Sequence, residues 1–124
     1  MNKYIVVIDD SPTVRTSVEF AIKSLGFPVQ HAENGIDALK KIKAIKDNGD
    51  DTALLVCDIN MPQMDGITFI KEFRKNDKFT PIVVLTTESE EGKINEGKEA
   101  GAAGWIVKPF QPADLVSVAE RFLK

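Results

Sequence analysis

The chain has 124 residues, with 16 lysines and arginines against 19 aspartates and glutamates, so its formal net charge is −3; this length predicts one domain over residues 1–124 with a genuine core. At 43% hydrophobic and 28% charged residues the chain is not disordered, and its mild acidity argues against direct nucleic-acid binding. Membrane insertion is not expected, because no apolar run approaches the roughly 18 residues that a bilayer span requires. The single cysteine, which excludes an internal disulfide, fits a cytoplasmic setting.

Four short apolar runs predict strands that are buried on both faces. They are continuous rather than alternating, as in a parallel sheet covered by helices on either side. The runs are Tyr4–Ile8, Ala53–Cys57, Pro81–Leu85 and Trp105–Val107. A weaker run at Val29–Ala32 is interrupted by two polar residues, which favours an edge strand.

Apolar residues at three- and four-residue steps predict four helices between and after these runs. Their stripes are Val14, Val18, Ala21, Ile22 and Leu25; Ile36, Leu39, Ile42 and Ile45; Ile67, Ile70 and Phe73; and Leu115, Val118, Ala119 and Phe122. Ser11 and Pro12 are typical of the start of the first helix, and Gly26 of its end. Pro112 opens the last helix. The polar stretch Lys46–Thr52 is interpreted as a surface loop.

The segment Ser89–Ala100 has the length of a helix but few apolar residues to hold it. Ile94 and Ala100 are its apolar residues, and Gly92 and Gly97 lie within it. Each glycine costs about 1 kcal/mol relative to alanine in a helix interior. We therefore predict that this fourth of five helices is the least firmly held. Strand and helix then alternate five times, which indicates an open α/β sheet.

Polar residues follow four of the strands at the point where each strand ends. They are Asp9-Asp10, Asp58, Thr86-Thr87 and Lys108-Pro109. Ligands bind at this carboxyl edge of an open parallel sheet, so these side chains should converge there. A single Asp after a strand is usually a turn or cap residue, but several carboxylates together repel one another. An oxygen-only set of this kind suits a hard cation, Mg²⁺ or Mn²⁺.

The motifs resemble the receiver domain of two-component response regulators, particularly stand-alone chemotaxis regulators of the CheY type. The resemblance runs from residue 3 to the C-terminus and rests on Asp9-Asp10, Asp58-Ile59-Asn60-Met61-Pro62, Asp65-Gly66, Thr86 and Trp105–Phe110. It implies a flavodoxin-like (βα)5 fold with a parallel sheet of order 2-1-3-4-5. CheY is itself a standard example of that strand order, which is carried over from the resemblance.

The resemblance also implies a role for each site residue. Asp58 would accept a phosphoryl group, with Thr86 and Lys108 contacting its oxygens. Asp10, Asp58 and the backbone carbonyl of Asn60 would bind Mg²⁺, and Asp9 would reach it through water. Thr86 and Trp105 would form the switch, with Trp105 replacing the usual Tyr or Phe. Asn60 and Glu88 would tune hydrolysis of the phosphoryl group, and Thr87 is bulkier than the family's usual small residue.

The partners follow from the same resemblance. A CheA-like histidine kinase would be the phosphodonor, the chain would act as a monomer, and an auxiliary phosphatase could assist hydrolysis. The fourth helix, fifth strand and fifth helix would bind a target, the flagellar motor switch protein or another output protein. The chain would not be an enzyme beyond its own phosphorylation and dephosphorylation.

Two other functions remain open from the sequence. A phosphotransfer shuttle or phosphate sink in a relay would carry the same residues. A small phosphatase with an Asp nucleophile, similar to haloacid dehalogenases, would use Asp9-Asp10. Such enzymes need an acid two residues after the nucleophile, whereas residue 11 is Ser.

Overall fold

The computed structural model describes residues 2–61, 63–87 and 91–123, with residues 87, 91 and 93 described by their backbone alone. Five strands alternate with five α-helices along the chain. The strands are β1 (Lys3–Ile8), β2 (Val29–Ala32), β3 (Asp51–Asp58), β4 (Ile82–Thr87) and β5 (Gly104–Lys108). The helices are α1 (Pro12–Ile22), α2 (Gly35–Asp47), α3 (Gly66–Arg74), α4 (Glu91–Ala100) and α5 (Pro112–Leu123).

The five strands form one sheet in the order β2-β1-β3-β4-β5, and every neighbouring pair is parallel. This confirms the predicted flavodoxin-like α/β fold and the position of β2 at an edge. The central strands β1 and β3 lie side by side, with Ile8 opposite Cys57. Their carboxyl ends therefore meet at the same point of the sheet, and the residues that follow them become neighbours.

Helices cover both faces of the sheet, which explains the continuous apolar runs. Along β1, Val6 and Ile8 pack toward α2 and α3, whereas Ile5 and Val7 pack toward α1 and α5. All four of these strand residues are fully buried. Strands β1, β3 and β4 thus contribute alternate side chains to two separate cores, as expected for a sheet between two helical layers. The prediction that the Trp105–Val107 run is buried on both faces is wrong, because β5 is an edge strand, and Trp105 and Val107 are 41% and 39% exposed.

The predicted loop at Lys46–Thr52 is wrong at both of its ends. Lys46 and Asp47 are the last turn of α2, and Asp51 and Thr52 begin β3. Asp51 pairs with Lys3, and its N–H donates to the carbonyl of Asn2 at 2.9 Å. The ladder uses backbone groups that polar residues also have, so the hydropathy pattern could not show that the strand extends this far.

The structure confirms the predicted start of α1, but the α-helix itself ends at Ile22, before the predicted end at Gly26. The Ser11 hydroxyl accepts the Val14 N–H at 3.3 Å, and Pro12 is the first helical residue. After Ile22 the chain continues as a short 3₁₀ helix, which Gly26 closes in the left-handed region at φ 80°. A residue with a Cβ is disfavoured there, which is why glycine ends the helix.

Helix α4 has few buried residues among its described side chains. Gly97 is buried, while Ile94 and Ala100 are half-buried. By contrast α3 buries Gly66, Ile67, Phe69, Ile70 and Phe73. This agrees with the prediction of a weakly held fourth helix, although Ser89 and Glu90 of the predicted segment lie outside the described residues.

Among the described residues, no helix is both long and apolar enough to cross a membrane.

Candidate functional site

Three carboxylates meet at the carboxyl edge of the sheet, as predicted. Asp9 and Asp10 follow β1, and Asp58 is the last residue of β3. One oxygen from each of the three lies within 4.8 Å of the others. Asp9 and Asp58 are buried, with relative exposures of 1% and 5%, while Asp10 is exposed. The cluster therefore opens to solvent on the side of Asp10.

Lys108 reaches two of these carboxylates from the end of β5. Its Nζ lies 3.1 Å from Asp9 Oδ2 and 3.2 Å from Asp58 Oδ1. Since β4 separates β5 from β3, the long lysine side chain spans the intervening strand. The peptide bond from Lys108 to Pro109 is cis. The predicted convergence of Lys108 with the acidic residues is confirmed.

The charges around Asp58 shift its protonation equilibrium and that of Lys108. Burial, followed by the neighbouring Asp9 charge, raises the pKa of Asp58, and the contacts with Lys108 only partly oppose this. Burial would lower the pKa of Lys108, but Asp58 and Asp9 outweigh it, and that pKa is raised. The ammonium is thus held in its charged form, while the paired carboxylates remain under mutual repulsion.

Asp9 is fixed by four hydrogen-bonding partners. The Ser11 N–H donates to Oδ1 at 2.9 Å and Lys108 Nζ donates to Oδ2 at 3.1 Å. Its own N–H donates to the Ala32 carbonyl at 3.1 Å, which extends the ladder between β1 and β2. Arg15 Nη1 donates to the Asp9 carbonyl at 2.6 Å. Sequence analysis missed Arg15, although its position one turn into α1 was a signal that it lies beside the cluster.

The loop between β3 and α3 approaches the site so closely that it requires a glycine. A Cβ on Gly66 would lie 2.3 Å from the carbonyl oxygen of Asp58, which is a severe clash. The Gly66 N–H instead donates to the Ile59 carbonyl at 2.8 Å, and Asp65 caps α3 by accepting the Thr68 N–H at 2.8 Å. The Asp65-Gly66 pair therefore sets the path of the chain behind Asp58.

Asn60 and Thr86 lie next to Asp58. The Asn60 N–H donates to Asp58 Oδ1 at 3.3 Å. Asp58 pairs with Leu85 on β4, and Thr86 is the next residue along that strand. Thr86 is 1% exposed, so its hydroxyl is enclosed at the edge of the cluster. Of the predicted hydrolysis-tuning residues, Glu88 lies outside the described residues, and only the backbone of Thr87 is described.

Trp105 lies on β5, three residues before Lys108, and its side chain faces α4. It is the second residue of β5, pairs with Val84 and is 41% exposed. The Nζ of Lys98, on α4, lies 4.0 Å from the centroid of the indole ring. In this structure the indole is therefore outward-facing and joins β5 to α4 through a cation–π contact.

Neither Cys57 nor His31 belongs to the acidic cluster of Asp9, Asp10 and Asp58. Cys57 is fully buried in the core beneath α2 and α3, and burial raises the pKa of its thiol well above the usual value. The thiol is therefore a small core side chain. His31 lies on β2 and contacts Arg15 and Glu19.

The donor set suits a hard divalent cation. Three carboxylates and one ammonium leave two negative charges, which a divalent ion would balance. All the candidate ligand atoms are oxygens, and hard ions such as Mg²⁺ prefer oxygen ligands and retain several waters. The opening beside Asp10 gives room for those waters. The residues present therefore fit a magnesium-type site.

A parallel five-stranded sheet with this acidic cluster and lysine at its carboxyl edge is the architecture of a receiver domain. The response regulator receiver domain family matches residues 5–120 of the chain. The chain therefore belongs to that family, whose members are signalling switches rather than classical enzymes.

Its similar proteins include chemotaxis proteins and a longer transcriptional regulatory protein. It is 36% identical over 114 residues to chemotaxis protein CheY1 of Helicobacter pylori, covering 90% of this chain and 89% of that one. The structure of Vibrio cholerae CheY4 superposes with a TM-score of 0.87 at 37% identity, covering 99% of this chain and 100% of that one. The alkaline phosphatase synthesis transcriptional regulatory protein PhoP of Bacillus subtilis is 33% identical over 124 residues, but this chain spans 50% of its length.

Proposed function

We propose that this chain is a phosphorylation-dependent switch in which Asp58 accepts a phosphoryl group from a histidine kinase. The observation that carries the proposal is the contact of Lys108 with a buried Asp58 inside a three-carboxylate cluster. A surface aspartate would not need this arrangement. An ammonium beside the acceptor is instead suited to the oxygens of an incoming phosphoryl group.

Mg²⁺ is the proposed cofactor, and Mn²⁺ could replace it. Asp10, Asp58 and the Asn60 carbonyl would hold the ion, and Asp9 would contact it through water. When bound, it supplies charge neutralisation that lets an anionic phosphodonor approach the carboxylates. Burial and then the Asp9 charge raise the pKa of Asp58, and a bound cation would offset both by stabilising the ionised carboxylate.

The transfer itself needs few protein groups. An oxygen of the Asp58 carboxylate attacks phosphorus and forms an acyl phosphate, while the bond from phosphorus to the donor's histidine nitrogen breaks. The leaving nitrogen keeps the electron pair. No general base is required, because the ionised carboxylate is already the nucleophile. The Lys108 ammonium would pair with the phosphoryl oxygens, and the Thr86 hydroxyl would donate a hydrogen bond to one of them.

The switch would couple this change to α4, β5 and α5. Movement of Thr86 toward the phosphoryl group would open space at the end of β4, and Trp105 would turn inward from its exposed position. Helix α4 has few buried side chains among those described, so displacing it costs little. The changed α4-β5-α5 face would then bind a target protein.

Chemotaxis is the proposed setting, with a CheA-like kinase as donor and the flagellar motor switch protein as target. The similarity to the CheY1 and CheY4 proteins supports it. Cytoplasmic location and action as a monomer, with hydrolysis tuned by Asn60, Glu88 and Thr87, belong to the same proposal.

Phosphoryl labelling by acetyl phosphate tests the central step. With Mg²⁺ the wild-type chain should incorporate up to one phosphoryl group, and chelation of the metal should prevent it. Asp58→Asn should abolish labelling. Asp65→Asn is the matched control, because Asp65 lies on the same loop outside the cluster and Asn is an equally good helix cap. Labelling of Asp58→Asn at the wild-type level would refute the proposal.

The target is tested with the chain held in its activated form by beryllofluoride. Binding to the flagellar motor switch protein of the same genome should be stronger than for the untreated chain and should be lost in Asp58→Asn. Binding only to kinases and phosphotransfer proteins would contradict the motor assignment and would favour a relay shuttle or phosphate sink.

A further inference from the structure

A hydrogen-bonded network joins the acidic cluster to the edge strand β2. Arg15 Nη1 donates to the carbonyl of Asp9 at 2.6 Å, and Arg15 Nε donates to His31 Nδ1 at 3.3 Å. The other ring nitrogen of His31 lies 2.5 Å from Glu19 Oε1. Arg15 and Glu19 both lie on α1, one turn apart, so the imidazole of β2 is held between two residues of a single helix.

The donors and acceptors of this network allow one arrangement of protons. A guanidinium donates but cannot accept, so the His31 Nδ1 that faces Arg15 must carry a lone pair. The proton of the neutral ring then lies on Nε2, where it donates to the Glu19 carboxylate. In this tautomer both ring nitrogens are paired, and the guanidinium is oriented by His31 on one arm and Asp9 on the other.

The Asp9 carbonyl belongs to the peptide unit that joins Asp9 to Asp10. Fixing this oxygen fixes the plane of that peptide, and with it the direction in which the Asp10 Cα leaves β1. Asp10 is exposed, and within residues 2–61, 63–87 and 91–123 its carboxylate has no hydrogen bond or ion pair of its own. Its aim therefore depends on the backbone that carries it.

We propose that Arg15, held by His31 and Glu19, is a positioning residue that orients the Asp9–Asp10 peptide so that the two carboxylates can share a divalent ion with Asp58. The inference rests on the proposed function, because it assigns a role toward the same metal site. The planar fork of arginine is what allows one side chain to serve both acceptors. Lysine keeps the charge but has a single nitrogen, so it cannot repeat this geometry.

Mn²⁺ binding, followed by the electron paramagnetic resonance signal of the free ion, tests the role. Arg15→Met should raise the dissociation constant for Mn²⁺ about 10-fold, the low end for loss of an outer partner of a metal ligand. Arg15→Lys should fall between the wild type and Arg15→Met. Arg74→Met is the matched control: Arg74 donates to the Gly101 carbonyl at 2.8 and 3.2 Å, at the opposite edge of the sheet. Its variant should bind Mn²⁺ as the wild type does.

The tautomer of His31 gives a readout that needs no metal. Nitrogen-15 spectra of the metal-free wild type should show a neutral ring protonated on Nε2, and Arg15→Met should weaken this preference, because the Glu19 carboxylate alone would then select the tautomer. A ring protonated on Nδ1 in the wild type would overturn the network even if the variants fail to fold.

The outcomes separate the inference from the function on which it rests. If the wild-type protein binds no Mn²⁺, or if Asp58→Asn leaves Mn²⁺ binding unchanged, both the proposed function and the role of Arg15 are refuted. Wild-type binding that Asp58→Asn weakens but Arg15→Met leaves unchanged would remove the inference alone. Wild-type affinity in Arg15→Lys would show that charge suffices and would overturn the positioning role.

Discussion

The pKa of a carboxylate is shifted in opposite directions at the two edges of the sheet where the parallel strands begin and end; Asp58 is buried and Asp77 is half-buried. At the carboxyl edge, burial and Asp9 raise the pKa of Asp58. At the amino edge, in the turn before β4, the Asp77 carboxylate accepts the Phe79 N–H at 2.8 Å, the Thr80 N–H at 2.9 Å and the Thr80 hydroxyl at 2.5 Å. These bonds outweigh burial, so the pKa of Asp77 is lowered, with a smaller contribution from Arg74.

The difference shows at which edge the chain itself supplies the hydrogen-bond donors that stabilise an ionised carboxylate. Asp77 has donors from its own turn and stabilises the fold as an anion. Asp58 has one ammonium shared with Asp9 and a nearby like charge, so its ionised form opposes folding. At the amino edge the chain thus supplies the donors that the Asp77 carboxylate needs. At the carboxyl edge a net negative charge remains, which a cation can neutralise.

The largest expected effect is stabilisation by Mg²⁺ at one edge alone. At about 100 times the dissociation constant, Mg²⁺ should raise the free energy of unfolding by about 2.7 kcal/mol, because it binds the folded chain preferentially. Urea unfolding with and without Mg²⁺ measures this. Asp77→Asn should retain the increment and Asp58→Asn should lose most of it. Equal increments in all three proteins would contradict the comparison.

Without metal, removing the two carboxylates should change stability in opposite directions. Asp77→Ala should lower the free energy of unfolding by about 1–3 kcal/mol, because it leaves the buried donors of Thr80 unpaired. Asp58→Asn should raise it, since the repulsion with Asp9 and the cost of burying a charge disappear. Thermal melts in the presence of a chelator measure both. Destabilisation by Asp58→Asn would show that its pairing with Lys108 dominates.

The same two carboxylates should respond differently to pH in metal-free protein. The pKa of folded Asp58 lies above the reference value of 3.8, so its ionised form opposes folding above the folded pKa, and this cost is relieved as pH falls through that folded pKa. The gap in unfolding free energy between wild type and Asp58→Asn should therefore close as pH falls toward 3.8. The pKa of folded Asp77 lies below 3.8, so its stabilisation is lost only below that pH. A gap to Asp77→Ala that closes well above it would contradict this assignment.

Stiffening α4, which connects the carboxyl end of β4 to the amino end of β5, should change the free energy of unfolding by a smaller amount. Gly97→Ala should raise the free energy of unfolding by about 1 kcal/mol, because alanine favours the helical conformation more than glycine does. The added Cβ would lie 4.0 Å from Val84 Cγ2, an ordinary contact without a clash. Gly92→Ala is the companion variant at the start of the same helix: its Cβ would meet nothing within 4 Å, so any gain in stability comes from helix propensity alone. Denaturant unfolding gives the stability, and beryllofluoride titration should show weaker activation in Gly97→Ala. Unchanged activation would show that softness of α4 is not needed for switching.

Much of the fold was predictable because each pattern reflects a local physical requirement. Strands buried on both faces must be apolar throughout, so Tyr4–Ile8 and Pro81–Leu85 were visible in the sequence. Ser11 and Gly26 act through bonds and dihedral angles of their own helix, so those boundaries were visible too. The start of β3 at Asp51 was not, because its pairing with Lys3 uses backbone groups that any residue could supply.

The candidate site divides in the same way. The carboxylates, Lys108 and Thr86 could be proposed because they follow strands, and parallel strands end at a common edge. The Arg15 to His31 contact could not, since it depends on the rotamers of side chains from α1 and β2. The exposure of Trp105 was also hidden, because the apolar run that contains it looks like the runs of the central strands.

The sequence by itself determined which chemical groups the protein has, and roughly where along each strand they occur. Hydropathy and helix capping are local properties, and they are written directly in the order of residues. Tertiary structure alone decided that Lys108 reaches across β4 to Asp9 and Asp58, and that Asp58 is left with an unfavourable charge while Asp77 is not. Distances between side chains from separate elements set those energies, because both Coulomb interaction and burial depend on the folded arrangement.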